Sequence, residues 1–199
     1  LGAPLPKYAH IPMILGEDGK RLSKRLGAAS VLNYREEGYL PEALLNYLVR
    51  LGWSHGDQEI FTIEELIEYF NIEDVHKSAA TFDEKKLLWV NQQYLKQVDP
   101  QSMKLLLAEQ FKKADIETEN GPDLADVFIL MRERVSTLSE LVAQSLYFYQ
   151  DPIYDETAVQ KFLTPEAMPI LKTAAEVFSK TLWQVENLHK AIEEICSIH

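Results

Sequence analysis

The chain has 199 residues, 46% hydrophobic and 26% charged, with 20 Lys and Arg against 31 Asp and Glu and a formal net charge of −11. That composition fits an ordinary soluble protein with one or two packed cores and excludes a disordered chain. The single cysteine, Cys196, excludes an internal disulfide and a thiolate metal cluster. No apolar run is long enough to cross a bilayer and no basic-then-apolar signal opens the sequence, so a cytoplasmic protein without a membrane partner is expected.

Charge is spread unevenly: residues 1–25 carry five Lys or Arg against two acids, residues 26–100 six against thirteen, and residues 101–199 nine against sixteen. In chain order, Ala9 to Leu15 is a short apolar run ending at the turn-like Gly16-Glu17-Asp18-Gly19, read as an end strand that leads into a loop. The loop, DGKRLSKRLGAAS, holds Lys20, Arg21, Lys24 and Arg25 between Gly19 and Gly27. Ser30 then caps a short helix through about Glu37, stopped by Gly38. Pro41 begins a second, whose apolar face is expected to be Leu44, Leu45, Leu48 and Leu51. Thr62-Ile63-Glu64-Glu65 has the capping-box arrangement for a helix to about Phe70. Another starts at Asp83, with Leu87, Tyr94 and Leu95 at helical spacing. Further helices follow from Met103, Leu106, Leu107 and Phe111, from Val127, Phe128, Met131 and Val135, and from a second capping box, Thr137 to Glu140. Thr164-Pro165-Glu166 reads as a helix start, followed by stripes at Ile170, Leu171, Ala174, Val177, Phe178 and at Leu188, Ile192, Ile195. The body is mainly helical, and Asp99-Pro100 is the favoured domain joint.

The basic loop admits a plain reading, a solvated turn. Its position after a strand and before a helix supports a more specific one, because open α/β sheets bind ligands beyond their strand ends and phosphates are natural guests of clustered cations.

Arg21-Leu22-Ser23-Lys24-Arg25 resembles the KMSKS signature of class I aminoacyl-tRNA synthetases, in the form usual in glutamyl-tRNA synthetases. The flanks SVLNYREEGYLPEALLNYLVRLGWSHGDQEIFT and FDEKKLLWVNQQYL are similar to the segments that follow that signature in the bacterial enzymes. Arg21 replaces the commoner lysine and keeps the charge; Leu26 stands where a histidine is usual. The resemblance implies the end of a class I Rossmann catalytic domain with its ATP loop over 1–29, a stem-contact domain over 30–99, and a helical-bundle anticodon-binding domain over 100–199, incomplete at its C-terminal end. It implies ATP-dependent activation of glutamate to glutamyl-adenylate, with Mg2+ held mainly outside this stretch, and transfer to tRNA(Glu) by a monomer. A lysine on the leaving pyrophosphate stabilises charge that grows in the transition state, the condition for raising rate and not only affinity. Lys24 takes that role, assisted by Arg21, with Ser23, Leu22 and Arg25 completing the ATP contact. The family's HIGH-like motif and glutamate pocket are not found here, so this stretch alone is expected to be inactive.

On the RNA side the resemblance implies contacts from Lys85, Lys86, Asn91 and Gln92 on the helix after Asp83, where cations and amides meet phosphate and 2′-hydroxyl groups. Trp89 on the same helix is expected in the core. Arg132 and Arg134 are the paired cations of the helical region; either could read an anticodon base edge with its planar guanidinium, or pair with Glu133 or Glu140. Tyr147, Phe148, Tyr149 and Trp183 read as packing residues. His189, Cys196 and His199 are too scattered for a zinc site, and His55 and His76 fall in loops with no nucleophile beside them. Helical periodicity beyond residue 100 departs from the β-barrel anticodon region of glutaminyl enzymes. The alternative is a non-catalytic helical RNA-binding or protein-interaction module derived from a synthetase.

Overall fold

The computed structural model describes residues 5, 8, 10–22 and 30–198. They fall into two compact units, Leu1–Gln150 and Asp151–His199.

The first unit opens with strand β1, Ile14–Leu15, which turns through Gly16 to Lys20 and comes back on itself, with Arg21 bridged antiparallel to Leu15. Gly16 donates to the Lys20 carbonyl at 2.8 Å and Leu22 to the Ile14 carbonyl at 3.0 Å. Gly19 takes a φ of 72° in this turn, which glycine adopts without steric cost. Strand β2, Ala80–Thr81, pairs parallel to β1, Ile14 opposite Ala80 and Leu15 opposite Thr81.

The helices follow from local chemistry. Ser30 caps α1, Val31–Glu36, and Pro41 sits in the first turn of α2, Pro41–Arg50. Thr62 and Glu65 close a full capping box on α3, Ile63–Tyr69, at 3.2 and 2.7 Å. Asp83 caps α4, Glu84–Gln97. Then come α5, Lys104–Lys113, α6, Leu124–Met131, and α7, Leu138–Ser145, with 3₁₀ turns at Ile72–Asp74 and Leu146–Phe148.

One apolar cluster joins these helices: Leu40, Leu44 and Tyr47 with Leu87, Val90 and Leu95, and these with Met103, Leu107, Phe111, Phe128 and Leu141. The cluster runs across Asp99-Pro100, so the stretches on either side of that joint share a core. A small second core holds Trp53, Phe61 and Leu66. Helix α1 is tied to the later helices by the pairs Arg35–Glu109 at 3.5 Å and Glu36–Lys113 at 2.7 Å, and the Leu138 N–H donates to the Gly38 carbonyl at 3.0 Å.

The structure corrects two details of the expected pattern. The buried face of α2 is Ala43, Leu44, Asn46 and Tyr47, while Leu45 and Leu48 are exposed. The helix turns polar groups inward because each is fully used there. Asn46 donates to the Glu59 carbonyl at 2.9 Å and accepts from Phe61 N–H at 2.7 Å; the Tyr47 hydroxyl donates to the Asp83 carbonyl at 2.9 Å and accepts from its N–H at 2.6 Å. At α7, Thr137 accepts from Glu140 N–H, but the Glu140 carboxylate bonds Ser136 N–H at 2.7 Å instead of closing the box on Thr137.

The second unit contains α8, Glu156–Phe162, α9, Ala167–Lys180, and α10, Val185–Ile198, the last two packed as a hairpin. Asp155 caps α8 by accepting from Ala158 N–H at 2.8 Å. Thr164-Pro165-Glu166 forms a turn and α9 begins after it. Ala191 and Ile195 are buried, Val177 and Phe178 half-buried, and Trp183 is exposed with its ring 6.4 Å from Phe178.

Candidate nucleic-acid interface

The basic loop begins on the β1 hairpin. Asp18 accepts from Lys20 N–H at 3.0 Å and pairs with its ammonium at 3.7 Å, a solvent-exposed contact of small energetic weight. Arg21 is exposed, and its guanidinium has no partner among the described residues. Leu22 is half-buried at the hairpin end. Ser23, Lys24 and Arg25 lie outside the described residues. Ser30 resumes the chain as the cap of α1.

Helix α4 separates its candidate residues into different environments. Lys85 is exposed and unpaired among the described residues. Lys86 pairs with Glu59 at 3.0 Å, and Glu59 also takes Arg50 in a two-pronged contact at 2.9 and 3.3 Å. The Arg50 hydrogen bond, and then the one from Lys86, holds the Glu59 carboxyl below its ordinary range in spite of partial burial.

Asn91, expected at the RNA-facing surface, lies inside the protein. It is fully buried; its Oδ1 accepts from Leu40 N–H at 2.8 Å and its Nδ2 donates to the Ser136 carbonyl at 2.5 Å. Both ends of the amide are committed inside the protein, joining the start of α2 to the segment before α7. Trp89, in contrast, is 43% exposed and lies outside both apolar clusters, so it is no core residue. Its phase on the helix decides this, opposite Leu87, Val90 and Leu95.

Arg132 closes α6 and donates from Nη1 to the Val98 carbonyl at 3.4 Å. Arg134 is exposed and its side chain has no partner among the described residues. Neither arginine pairs with Glu133 or Glu140: Glu133 faces Lys96 at 3.6 Å and Glu140 is occupied by Ser136 and Gln144. His76 meets a hydroxyl that the sequence reading passed over, Ser54 Oγ at 3.3 Å on the surface. No group of three or more His, Cys, Asp or Glu side chains is placed to hold a metal ion among the described residues. No helix among them is long and apolar enough to cross a membrane.

Comparison with known proteins bears on this arrangement at both ends of the chain. Residues 93–199 match the anticodon binding domain family. The chain belongs to that family. Ahead of the anticodon-binding region, residues 1–89 match the catalytic domain of class I tRNA synthetases of the E and Q type. Over its whole length the chain is 51% identical to glutamate–tRNA ligase 2 of Coxiella burnetii strain Dugway 5J108-111 and spans 43% of that protein. It aligns over 99% of its residues with the crystal structure of a glutamate tRNA ligase from Elizabethkingia meningosepticum in complex with its amino acid, at 29% identity and a TM-score of 0.79. It aligns in full with the glutamate-tRNA synthetase of Elizabethkingia anophelis at 28% identity and a TM-score of 0.77, covering 43% of each solved chain. The chain is thus homologous to the C-terminal part of glutamate–tRNA ligases, and the arginines at the end of α6 fall within the stretch matched to the anticodon-binding domain.

Proposed function

We propose that this chain supplies the ATP loop and the tRNA-binding helices of a cytoplasmic, monomeric glutamate–tRNA ligase, an enzyme that uses ATP to activate L-glutamate and passes it to tRNA(Glu). The observation that carries the reading is the order of matched parts. A segment matched to the class I catalytic domain, residues 1–89, contains an exposed hairpin whose Arg21, without a partner among the described residues, stands two positions before Ser23 in Ser23-Lys24-Arg25, and a segment matched to the anticodon-binding domain, residues 93–199, follows. The reaction belongs to a chain of the relatives' length, since this one spans less than half of them.

In that setting glutamate attacks the α-phosphorus of ATP through a carboxylate oxygen, and the bond to the bridging oxygen of pyrophosphate breaks. Lys24 and Arg21 neutralise the charge that gathers on the departing group, which lowers the barrier because the interaction strengthens as the bond breaks. Ser23, Leu22 and Arg25 shape the rest of that contact. Mg2+ would accompany ATP as a counter-charge; the described residues offer no cluster of ligands for it.

The division into an ATP-loop segment over 1–29, a stem-contact domain over 30–99 and an anticodon-binding domain over 100–199 belongs to the same proposal. Lys85, unpaired among the described residues, meets tRNA phosphate with its ammonium, while Lys86 is partly neutralised by its pair with Glu59 and adds less. Arg134, exposed and unpaired among the described residues, reads a base edge, while Arg132 braces the end of α4 through the Val98 carbonyl.

The test is a titration of the chain with tRNA(Glu) and with an unrelated tRNA at several salt concentrations. The reading predicts preference for tRNA(Glu) and its loss in Arg134→Ala. Equal affinity for both tRNAs, or none, would overturn it.

A further inference from the structure

The exposed side of α4 carries a stripe that the contacts above do not account for. Lys85, Trp89, Gln92, Gln93 and Lys96 stand at intervals of four, three, one and three residues, which places them on one helical face. The opposite face is the one sealed in the core through Leu87, Val90, Asn91 and Leu95. In a chain with a net charge of −11, this stripe contains no carboxylate. Glu84, the nearest acid on the helix, lies toward Tyr34 and Tyr39, whose hydroxyls it pushes upward in pKa after the larger effect of their burial.

The groups on the stripe are idle inside the protein. The Lys85 ammonium and the side-chain amides of Gln92 and Gln93 have no partner among the described residues. The Trp89 indole is 43% exposed, has no ring partner among the described residues, and belongs to no apolar cluster. Lys96 alone is engaged, 3.6 Å from Glu133. A free cation, a flat amphipathic ring and two amides in one row suit a partner that offers negative charge beside flat faces and hydroxyl groups. Polynucleotides do so: phosphate for the ammonium, a nucleoside face for the indole, and 2′-hydroxyl and base edges for the amides.

We propose that Trp89 is the anchor of an RNA-contacting stripe on α4, its indole lying against a nucleoside face while Lys85 takes the adjacent phosphate. The proposal rests on the reading of the chain as a tRNA-binding part and names a residue in it that charge alone would not select. Aromatic stacking and phosphate neutralisation respond differently to salt, which separates the two roles. Removing one phosphate contact lowers the slope of log affinity against log salt by about 0.7 to 0.9, whereas losing a stacked ring lowers affinity at every salt concentration and leaves the slope alone.

The experiment measures tRNA(Glu) affinity of the chain, of Trp89→Ala, Trp89→Phe and Lys85→Ala across a salt series, together with the quenching of tryptophan fluorescence by RNA. Expected are a loss of about tenfold with unchanged slope in Trp89→Ala, recovery of much of it in Trp89→Phe, and a reduced slope in Lys85→Ala. Quenching present in the parent chain is expected to be lost in Trp89→Phe, and this readout stands even if Trp89→Ala folds poorly. Parent-level affinity in both Trp89 variants, with quenching unchanged in Trp89→Phe, overturns the proposal while the parent chain's binding leaves the functional reading intact. No binding by the parent chain overturns both. Competition by poly-L-glutamate as strong as by RNA, with the same dependence on Trp89, would assign the stripe to an acidic protein and overturn the RNA assignment.

Discussion

Replacing Asn91 with alanine separates a structural amide from an RNA contact. The side chain is completely buried, with Leu40 N–H at 2.8 Å on its oxygen and the Ser136 carbonyl at 2.5 Å from its nitrogen. Alanine leaves the Leu40 amide without a partner at a residue only 3% exposed, and strips one bond from the half-buried Ser136. An unsatisfied buried donor costs about 1–3 kcal/mol and a lost ordinary hydrogen bond about 0.5–1.5 kcal/mol, so the variant should lose roughly 2–4 kcal/mol. With a urea slope of about 2 kcal/mol per molar, the midpoint falls by roughly 1–2 M. The assay is urea unfolding followed by the emission shift of Trp53, which is 2% exposed and reports on the first unit. Folded Asn91→Ala should bind tRNA as the parent chain does, while Lys85→Ala should unfold as the parent does and bind tRNA less tightly. Parent-like stability in Asn91→Ala, combined with a selective loss of tRNA binding, would refute the structural role and return Asn91 to the RNA surface.

Ser145 presents the converse case: its hydroxyl is fully buried and has no hydrogen-bond partner among the described residues, so Ser145→Ala should be neutral or more stable by up to about 1 kcal/mol in the same unfolding assay. Gly38→Ala should destabilise the first unit by about 2 kcal/mol or more, because φ is 83° and the added Cβ would lie 2.6 Å from the Ser139 nitrogen. Burial pushes the hydroxyls of Tyr39, Tyr47 and Tyr94 up to about 12, from an ordinary 10. The folded state therefore holds those protons after the unfolded chain has released them. The tyrosines' contribution to stability should be constant below pH 10 and be lost between pH 10 and 12, and unfolding midpoints that rise across that window would contradict the assignment.

What the sequence disclosed depended on how far away each residue's partner lay. Ser30, Thr62 and Asp83 accept from amides within their own first turn and Pro41 brings a pre-set φ to its own, so each helix start was visible from a few letters. Asn46 and Asn91 were not legible in that way: their partners lie 13, 15, 45, 48 and 51 residues away, and a periodicity that counts only apolar side chains leaves them on the wrong face. The same blind spot placed Leu45 and Leu48 in the core. Trp89 shows the limit of residue type as a guide, since its chemistry suggested burial while its phase relative to Leu87, Val90 and Leu95 put it outside. Helix α8 is seven residues long and begins at a lone Asp155, a signal carried by one cap and a Val159–Phe162 spacing that was easily passed over. The proposed ATP loop rests on its motif and flanks alone, and the hairpin that carries Arg21 was foreshadowed by the Gly16–Gly19 turn.

If the proposed cluster of cations relieves the charge of departing pyrophosphate, adenylation is the step that must slow without it. The chain would be joined to the nucleotide-binding half of a glutamate–tRNA ligase, and ATP–pyrophosphate exchange and ATP affinity compared with Lys24→Ala and with the Arg21→Ala, Lys24→Ala pair. The exchange rate is expected to fall by at least about tenfold more than ATP affinity does; exchange at the parent rate with both cations removed would rule out the leaving-group role.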